Sequence, residues 1–298
     1  LSTVEFVIVD NSTEGVAQAR VDALAPQLAM RIRYFHEPRR GLANARNRAL
    51  KEAQGKWLVF IDDDEVPLDD WLATLWRTAE DYDADAVFGP VLTELMPSDS
   101  DYRDEAARFY AQGSSEPTGT PMVEPSFFNR RFRKGVCTRV TASNNCIFRK
   151  QASDALGPDP VDVKTSQYGA SDQVFFSAMR AKGYGRFIWC ADAVVTESVT
   201  PERQTREYIL NRSFRHGQMA SNLALTVRPR RYGQLLSSIG LGVAQAGVGA
   251  VLSCALPISR RIGFRGHRLL TVGLGRIAFF GPFRRHLYGT TPQSFTSD

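Results

Sequence analysis

Residues 57–65 read Trp-Leu-Val-Phe-Ile-Asp-Asp-Asp-Glu, an apolar run that stops at four consecutive acids. Five apolar residues bounded by a polar cluster suit a buried strand of a parallel sheet. In open α/β sheets the ligand sits in the crevice at the carboxyl ends of the strands. Asp62, Asp63 and Asp64 then crowd into that crevice. Clustered carboxylates repel one another unless a cation neutralises them, and hard oxygen ligands suit Mg²⁺ or Mn²⁺. The competing reading is a strand followed by a solvated acidic turn.

The flanking segments extend the pattern. Residues 5–12 (Glu-Phe-Val-Ile-Val-Asp-Asn-Ser) form a second apolar strand that ends in Asp10 and Asn11. A helical stretch over 14–30 follows, then a short strand at 32–36, then a Gly-opened helix over 37–50 that feeds the strand ending at Asp62. Strand–helix–strand–helix–strand order predicts a parallel sheet covered by helices. A further strand begins near Ala86.

Composition fits one large domain plus an appendage, since 298 residues at 43% hydrophobic can bury a sizeable core. The four cysteines (Cys137, Cys146, Cys190, Cys254) and four histidines show no metal-ligand spacing, and reduced thiols are the expectation. Charge is split along the chain. Residues 201–298 carry 14 Arg, no Lys and 3 acids, a net +11, which leaves −6 for residues 1–200. A basic tail implies an anionic partner. No aromatic-interleaved basic motif points to nucleic acid. An anionic membrane surface fits better, because the arginines flank two apolar segments, 235–257 and 269–283. Small residues at Gly242, Ala246 and Ala250 allow close helix packing. With Arg228, Arg230 and Arg231 before the first segment, Arg260, Arg261 and Arg265 after it, and Arg284 and Arg285 beyond the second, helices lying in the interface or a shallow hairpin are favoured. A spanning helix and a soluble buried hairpin are the alternatives. The boundary is expected at 226/227, between a domain over 1–226 and a basic, apolar helical region over 227–298.

Seven stretches in order, "VIVDNS", "EPRRGLANARNRAL", "WLVFIDDDEVP", "DAVFGPVL", "ASNNCIFRK", "GASDQVFFSAMRAKGYGRFIWCADAVVTESVTPER" and "RSFRHG", resemble the family-2 glycosyltransferases with the nucleotide-diphospho-sugar (GT-A) fold. They cover roughly residues 4–217. Within that family they resemble the bacterial exopolysaccharide transferases of the succinoglycan type. The resemblance implies an α/β fold with a mostly parallel central sheet flanked by helices. It also implies an inverting, metal-dependent transfer from a UDP-sugar, UDP-glucose first among the candidates, to a lipid-linked oligosaccharide. The setting implied is the cytoplasmic face of the bacterial inner membrane. Family members usually open with a strand like "VSVVIPTYNR". Here Leu1 begins almost in the second strand, so an empty or substituted lane beside the Glu5 strand is expected.

The resemblance also implies roles. Asp10 takes the uracil ring nitrogen, where a carboxylate can accept an N–H; the alternative is a turn or cap aspartate. Arg46 approaches the base or diphosphate with a forked guanidinium, whereas Arg39, Arg40 and Arg48 read as surface charges. Asp62 and Asp64 match the D-x-D pair, Asp62 toward the ribose and Asp64 holding a Mg²⁺ or Mn²⁺ ion. Asp63 points the other way, and Glu65 is a fallback ligand. Asp172 is the candidate base, since a sugar hydroxyl needs deprotonation in the transition state. Ser171 stands where the family usually has Glu, and Ser171 or Asp172 could instead cap a helix. Gly89, Asn144 and Asn145 fall where the sugar pocket lies; an asparagine in a turn is the plain alternative. Arg212, Arg215 and His216 close over the diphosphate, or His216 joins the metal. Residues 113–135 read as a long loop, an acceptor-binding lid. Two other classes compete: a non-catalytic carbohydrate-binding or interaction protein, and a nucleotidyltransferase.

Overall fold

The computed structural model describes residues 4–28, 30–111, 116–123, 135–137, 141–166, 169–227 and 230–283. The chain runs β1 (Glu5–Asp10), α1 (Gln18–Leu24), β2 (Arg31–His36), α2 (Leu42–Glu52), β3 (Trp57–Ile61), β4 (Glu65–Pro67) and α3 (Trp71–Asp81). It continues through β5 (Ala86–Phe88), β6 (Val91–Leu95), α4 (Arg103–Tyr110), β7 (Thr120–Pro121), β8 (Asn145–Arg149), α5 (Lys150–Asp154) and α6 (Val163–Ser166). The last elements are α7 (Ser171–Ala181), β9 (Phe187–Trp189), β10 (Val195–Val199), α8 (Arg206–Thr226), α9 (Tyr232–Ser253) and α10 (Arg260–Ile277).

The central sheet has the order β3-β8-β5-β9-β7. Its side chains alternate between two helical layers, as a period of two requires. Leu58, Phe88, Phe148 and Phe187 face α7 and pack with Phe175 and Phe176. Val87, Ile147 and Ile188 face α3 and pack with Trp71, Leu75 and Ala79. The α7 side is mostly aromatic, with Phe88 edge-on to Phe176 at 4.8 Å between centroids, a favoured ring geometry. A smaller sheet, β4-β10-β6, lies beyond the ends of β3 and β5 in the chain path.

The pairing is more mixed than the mostly parallel sheet expected. β1–β2, β5–β9 and β6–β10 are parallel, but β8 runs antiparallel between β3 and β5. β1 and β2 pair only with each other, in a two-stranded parallel ribbon. Among the described residues the remaining edges of β1 and β3 have no ladder partner. The ribbon is fastened by charge: Arg33 on β2 reaches Glu5 at 3.2 Å and Glu52 of α2 at 3.5 Å.

The C-terminal helices pack through glycine. A Cβ at Gly217 would lie 2.2 Å from the Val272 carbonyl oxygen, and one at Gly249 would lie 2.3 Å from the Leu270 nitrogen. Such contacts let backbones approach where no other side chain fits. At the junction Ser221 Oγ lies 2.9 Å from Ser238 Oγ and donates to the Arg276 carbonyl, while Arg276 Nη1 donates to Ser238 Oγ. The expected boundary at 226/227 therefore passes between helices that share a face, since α8 is packed on α10. The second apolar segment also begins earlier than expected. α10 starts at Arg260 and is amphipathic, with Arg261 and Arg265 exposed and Gly263, Gly266 and Gly273 packed inward. Among the described residues, α9 is the one helix long and apolar enough to cross a membrane, by length and composition only.

Candidate functional site

The acidic turn joins β3 to β4 and is stitched to itself. The Glu65 amide donates to the Asp62 carbonyl at 3.2 Å, and the Asp62 amide donates to Glu65 Oε2 at 3.1 Å. Glu65 Oε1 accepts from Asn144 Nδ2 at 2.7 Å, which ties the turn to the start of β8. The register of β4 on β10 sets Glu65 directly opposite Glu197. Burial, with Asp62 and Glu197 nearby, pushes Glu65 up to about 7 against its two hydrogen bonds. Asp62 keeps 45% of its side-chain exposure. Desolvation by the walls, with Asp172, Asp64 and Asp63 adding to it and Arg46 opposing, pushes Asp62 up to about 6.

These raised values set a pH dependence. The folded chain holds the Glu65 and Asp62 protons more tightly than the unfolded chain, so stability falls as pH rises between about 4 and 7. Asp10 and Glu37 have lowered values and act in the opposite sense, but below about pH 4.5. In urea unfolding, Glu65→Gln is expected to flatten the decline of the midpoint between about pH 5 and 7. An unchanged slope would remove Glu65 as its source.

Arg46 joins three of the elements. It projects from α2, and its side chain is 12% exposed. Nη1 pairs with Asp172 Oδ1, and Nη2 lies 3.8 Å from Asp62 Oδ1. Asp172 sits in the first turn of α7, where Oδ2 accepts from the Ser143 amide at 3.1 Å and Oδ1 from Ser171 Oγ at 3.2 Å. Neither Ser171 nor Asp172 is the N-cap; that residue is Ala170, which makes no side-chain cap bond. Asp172 is therefore held toward the acids by contacts outside its own helix end.

Asp10 serves the loop that follows β1. Its carboxylate accepts from the Ser12 amide at 2.8 Å, the Ala17 amide at 2.8 Å and the Tyr34 hydroxyl at 2.9 Å. Hydrogen bonds from Ser12 and the Ala17 amide hold it well below the usual carboxylate range. The turn alternative thus describes what Asp10 does in this structure. Asn11, given no role from sequence, is the bridge to α2. Its Nδ2 donates to the Glu37 and Arg39 carbonyls at 2.7 and 2.8 Å, and its Oδ1 accepts from the Gly41 amide at 2.8 Å. Gly41 has φ +124°, a conformation open to glycine, and there the chain turns into the helix that bears Arg46.

Two expected sugar contacts are spent on the scaffold. Asn145 is buried, and its Oδ1 accepts from Trp71 Nε1 at 2.9 Å. Its Nδ2 donates to the Pro90 and Ala193 carbonyls at 2.9 and 2.8 Å, which leaves no amide hydrogen for a ligand. Gly89 is required by packing: a Cβ would lie 2.1 Å from the Ala193 oxygen and 2.6 Å from Asn145 Nδ2. Gly89→Ala is expected to cost about 1–3 kcal/mol of stability, the usual range for overpacking. A chemical-denaturation midpoint equal to wild type would contradict that role. Asn144 is half-buried, and the amide that reaches Glu65 places it at the site.

Asp64 is partnered by a residue that received no individual role from sequence. Arg203 Nη1 lies 3.4 Å from Asp64 Oδ2 and 3.2 Å from Glu197 Oε1. The signal was present, since Arg203 closes the "PER" stretch. Of Arg212, Arg215 and His216, Arg212 is near enough to Glu197 to oppose the rise of its carboxyl. Arg212 lies over the Tyr110 ring at 5.5 Å, and His216 stacks on Phe109 at 6.2 Å. Desolvation, with Arg212, Arg215 and Arg268 adding to it, lowers His216, although the residue is exposed on the helix surface. It belongs to no acid cluster among the described residues. Most of the expected lid, 113–135, lies outside the described residues, as do Arg228, Arg284 and Arg285.

Among the described residues, no three His, Cys, Asp or Glu side chains come together as a complete metal site. The residues present are of a type that suits a hard divalent cation: Asp62, Asp63, Asp64 and Glu65 offer carboxylate oxygens on one turn, and Asp64 is partly open to solvent.

Comparisons with known proteins bear on this arrangement. The chain is 30% identical over 217 residues to the succinoglycan biosynthesis protein ExoM of Rhizobium meliloti, a match covering 73% of this chain and 64% of that protein. It is 28% identical over 87 residues to the glycosyltransferase GlyG of Streptococcus pneumoniae, covering 29% of each. Among solved structures, S. aureus TarS 1–349 in complex with UDP-GlcNAc is 16% identical, covering 90% of this chain and 82% of that one at a TM-score of 0.45. GalNAc-T7 with UDP, GalNAc and Mn²⁺ is 15% identical, covering 74% and 45% at a TM-score of 0.46. Residues 1–157, more than half of the chain, match the family described as glycosyl transferase family 2. The α/β architecture, with sheets flanked by helices, is the GT-A fold expected from sequence. The chain belongs to glycosyl transferase family 2.

Proposed function

We propose that this glycosyltransferase moves a sugar from a UDP-sugar, with UDP-glucose as first candidate, to a lipid-linked oligosaccharide in exopolysaccharide or cell-surface glycan synthesis. The observation that carries the reading is Arg46, one guanidinium set between Asp62 at the strand end and Asp172 at the start of α7. That contact brings a nucleotide-side carboxylate and a candidate base to one crevice. The similarity to a succinoglycan biosynthesis protein supports the pathway class.

In this reading the donor diphosphate takes up Arg46, whose fork suits phosphate oxygens. Asp172 Oδ1, released from Arg46, then faces the acceptor hydroxyl. The Ser143 amide on Oδ2 fixes the direction of the carboxylate. Asp172 removes the hydroxyl proton as the acceptor oxygen attacks the anomeric carbon, and the nucleotide diphosphate leaves from the opposite face. A single displacement of this kind inverts the anomeric configuration. Asp62 serves the ribose, and Asp10 shapes the loop beside the base. Asp64 would hold a Mg²⁺ or Mn²⁺ ion, which would supply neutralisation of the charge developing on the leaving diphosphate.

In this reading the chemistry takes place at an anionic membrane on the cytoplasmic side, and the C-terminal region supports that setting. α9 turns Leu236, Val243 and Val251 outward at 71%, 60% and 74% exposure, and the arginines of α10 lie beside it. A screen of UDP-sugars with Mg²⁺ or Mn²⁺, read as UDP release with and without lipid-linked acceptor, tests the proposal. Release from one sugar, increased by acceptor, is the expected result. Absence of binding and release for every UDP-sugar would overturn it.

A further inference from the structure

The largest concentration of charge that this reading leaves unused lies where α4, α8 and α10 meet. Phe109 and Tyr110 of α4 form a shelf, their ring centroids 5.0 Å apart. The Arg268 guanidinium of α10 lies over Phe109 at 4.7 Å, and the Arg212 guanidinium of α8 lies over Tyr110 at 5.5 Å. His216, one turn along α8, stacks on Phe109. Arg212 donates a long 3.5 Å hydrogen bond to the Tyr208 hydroxyl, also interacts with the Tyr110 hydroxyl, and acts on Glu197 from a distance. Neither Arg212 nor Arg268 forms an ion pair among the described residues, and Arg268 Nε is buried without a partner. Glu105, one turn back on α4, reaches Arg108 instead, at 3.9 Å. Cation–π contacts hold these guanidiniums in place without a carboxylate in direct contact, although Glu197 partly offsets the charge of Arg212. Desolvation first, and neighbouring arginines second, lower both His216 and Arg268.

We propose that this shelf binds the diphosphate of a lipid-linked acceptor, at a site separate from the donor crevice. The inference rests on the glycosyl-transfer reading and names where its acceptor is held. Two unpaired guanidiniums on a rigid aromatic floor suit phosphate oxygens, which accept forked N–H donors. The placement suits a lipid. α10, which carries Arg268, packs along α9, whose outer face is bare and apolar, so a diphosphate on the shelf has an apolar surface beside it for the attached chain. The shelf also borders the acids: the Tyr110 hydroxyl donates to the Arg203 carbonyl at 3.1 Å, and Arg203 is the partner of Asp64. A sugar linked to the diphosphate is thereby directed toward the crevice that holds Asp172.

The test uses the full chain in detergent micelles, with a C15 isoprenyl diphosphate, the matching isoprenyl alcohol and UDP as probes, read by calorimetry. The isoprenyl diphosphate is expected to bind with UDP already saturating, and the alcohol to bind far more weakly. Arg268→Gln and Arg212→Gln should each weaken the isoprenyl diphosphate by at least about tenfold, the scale of one lost charge-assisted contact, with UDP affinity changed less than about twofold. Arg268→Lys should recover part of the loss, which separates charge from packing. Competition by UDP, or equal losses of UDP affinity in the variants, would assign the shelf to the donor and overturn the proposal. Equal binding of alcohol and diphosphate would overturn it as well, leaving an apolar site. Failure of wild type to bind UDP while the isoprenyl diphosphate still binds would count against the donor reading and leave the shelf standing.

Discussion

Asp172→Asn is expected to cut sugar transfer by about 10²-fold or more, the scale of losing a general base, while UDP-sugar affinity stays close to wild type. The geometry explains why the two separate. The Asp172 carboxylate is engaged by Arg46, Ser171 and the Ser143 amide. An asparagine of the same shape keeps one oxygen, enough for Arg46 and Ser171 or for the Ser143 amide but not for both, and cannot take a proton from a sugar hydroxyl. Arg46, relieved of one carboxylate, still has Asp62 at 3.8 Å and remains in place for the donor. Initial rates of UDP release with acceptor, beside calorimetry of the donor, measure both quantities. Transfer within a few-fold of wild type, or a collapse of donor binding, would remove Asp172 from the role of base.

Asp64→Asn is expected to abolish the divalent dependence of UDP binding and leave the fold intact. Asp64 ends the acidic turn, is partly exposed, and is not needed to close that turn; the hydrogen bonds that do so belong to Asp62 and Glu65. Arg203 loses one partner but keeps Glu197 at 3.2 Å. Calorimetry of UDP with and without Mn²⁺ gives the comparison. A mutant that retains the full metal-dependent gain in affinity would contradict the assignment.

What the sequence disclosed follows from the range of the interactions involved. β1, β2, α2 and β3 were legible because their patterns are local: apolar runs of four residues in β1 and five in β3, a glycine before α2, and acids after β3. β8 was not read as a strand. Asn145–Arg149 is short and begins with a polar residue, and its placement between β3 and β5 comes from contacts with segments some 60 to 90 residues away. That one insertion makes the sheet mixed. The same limit applies to the site. The acids and Asp172 were legible as motif residues, but the guanidinium joining them depends on α2 meeting α7 across 126 residues of chain. Asn145 and Gly89 show the converse. Their residue types suit a sugar pocket, and the fold spends them on Trp71, Pro90 and Ala193. Asp10 likewise reads equally well as ligand or turn until Ser12, Ala17 and Tyr34 are seen around it. Arg268 carried no signal, because its importance lies in packing against α4, a helix more than 150 residues earlier.

The account turns on donor and acceptor meeting in the crevice that holds Asp62, Asp64 and Asp172. Its most direct test is the stereochemistry of transfer by the wild-type chain, followed by NMR with a UDP-sugar carrying ¹³C at the anomeric carbon and a lipid-linked acceptor. The account predicts stoichiometric UDP and a glycoside whose anomeric configuration is inverted relative to the donor. A retained configuration would contradict the single displacement directed by Asp172, and UDP-sugar consumption without any glycoside would contradict transfer itself.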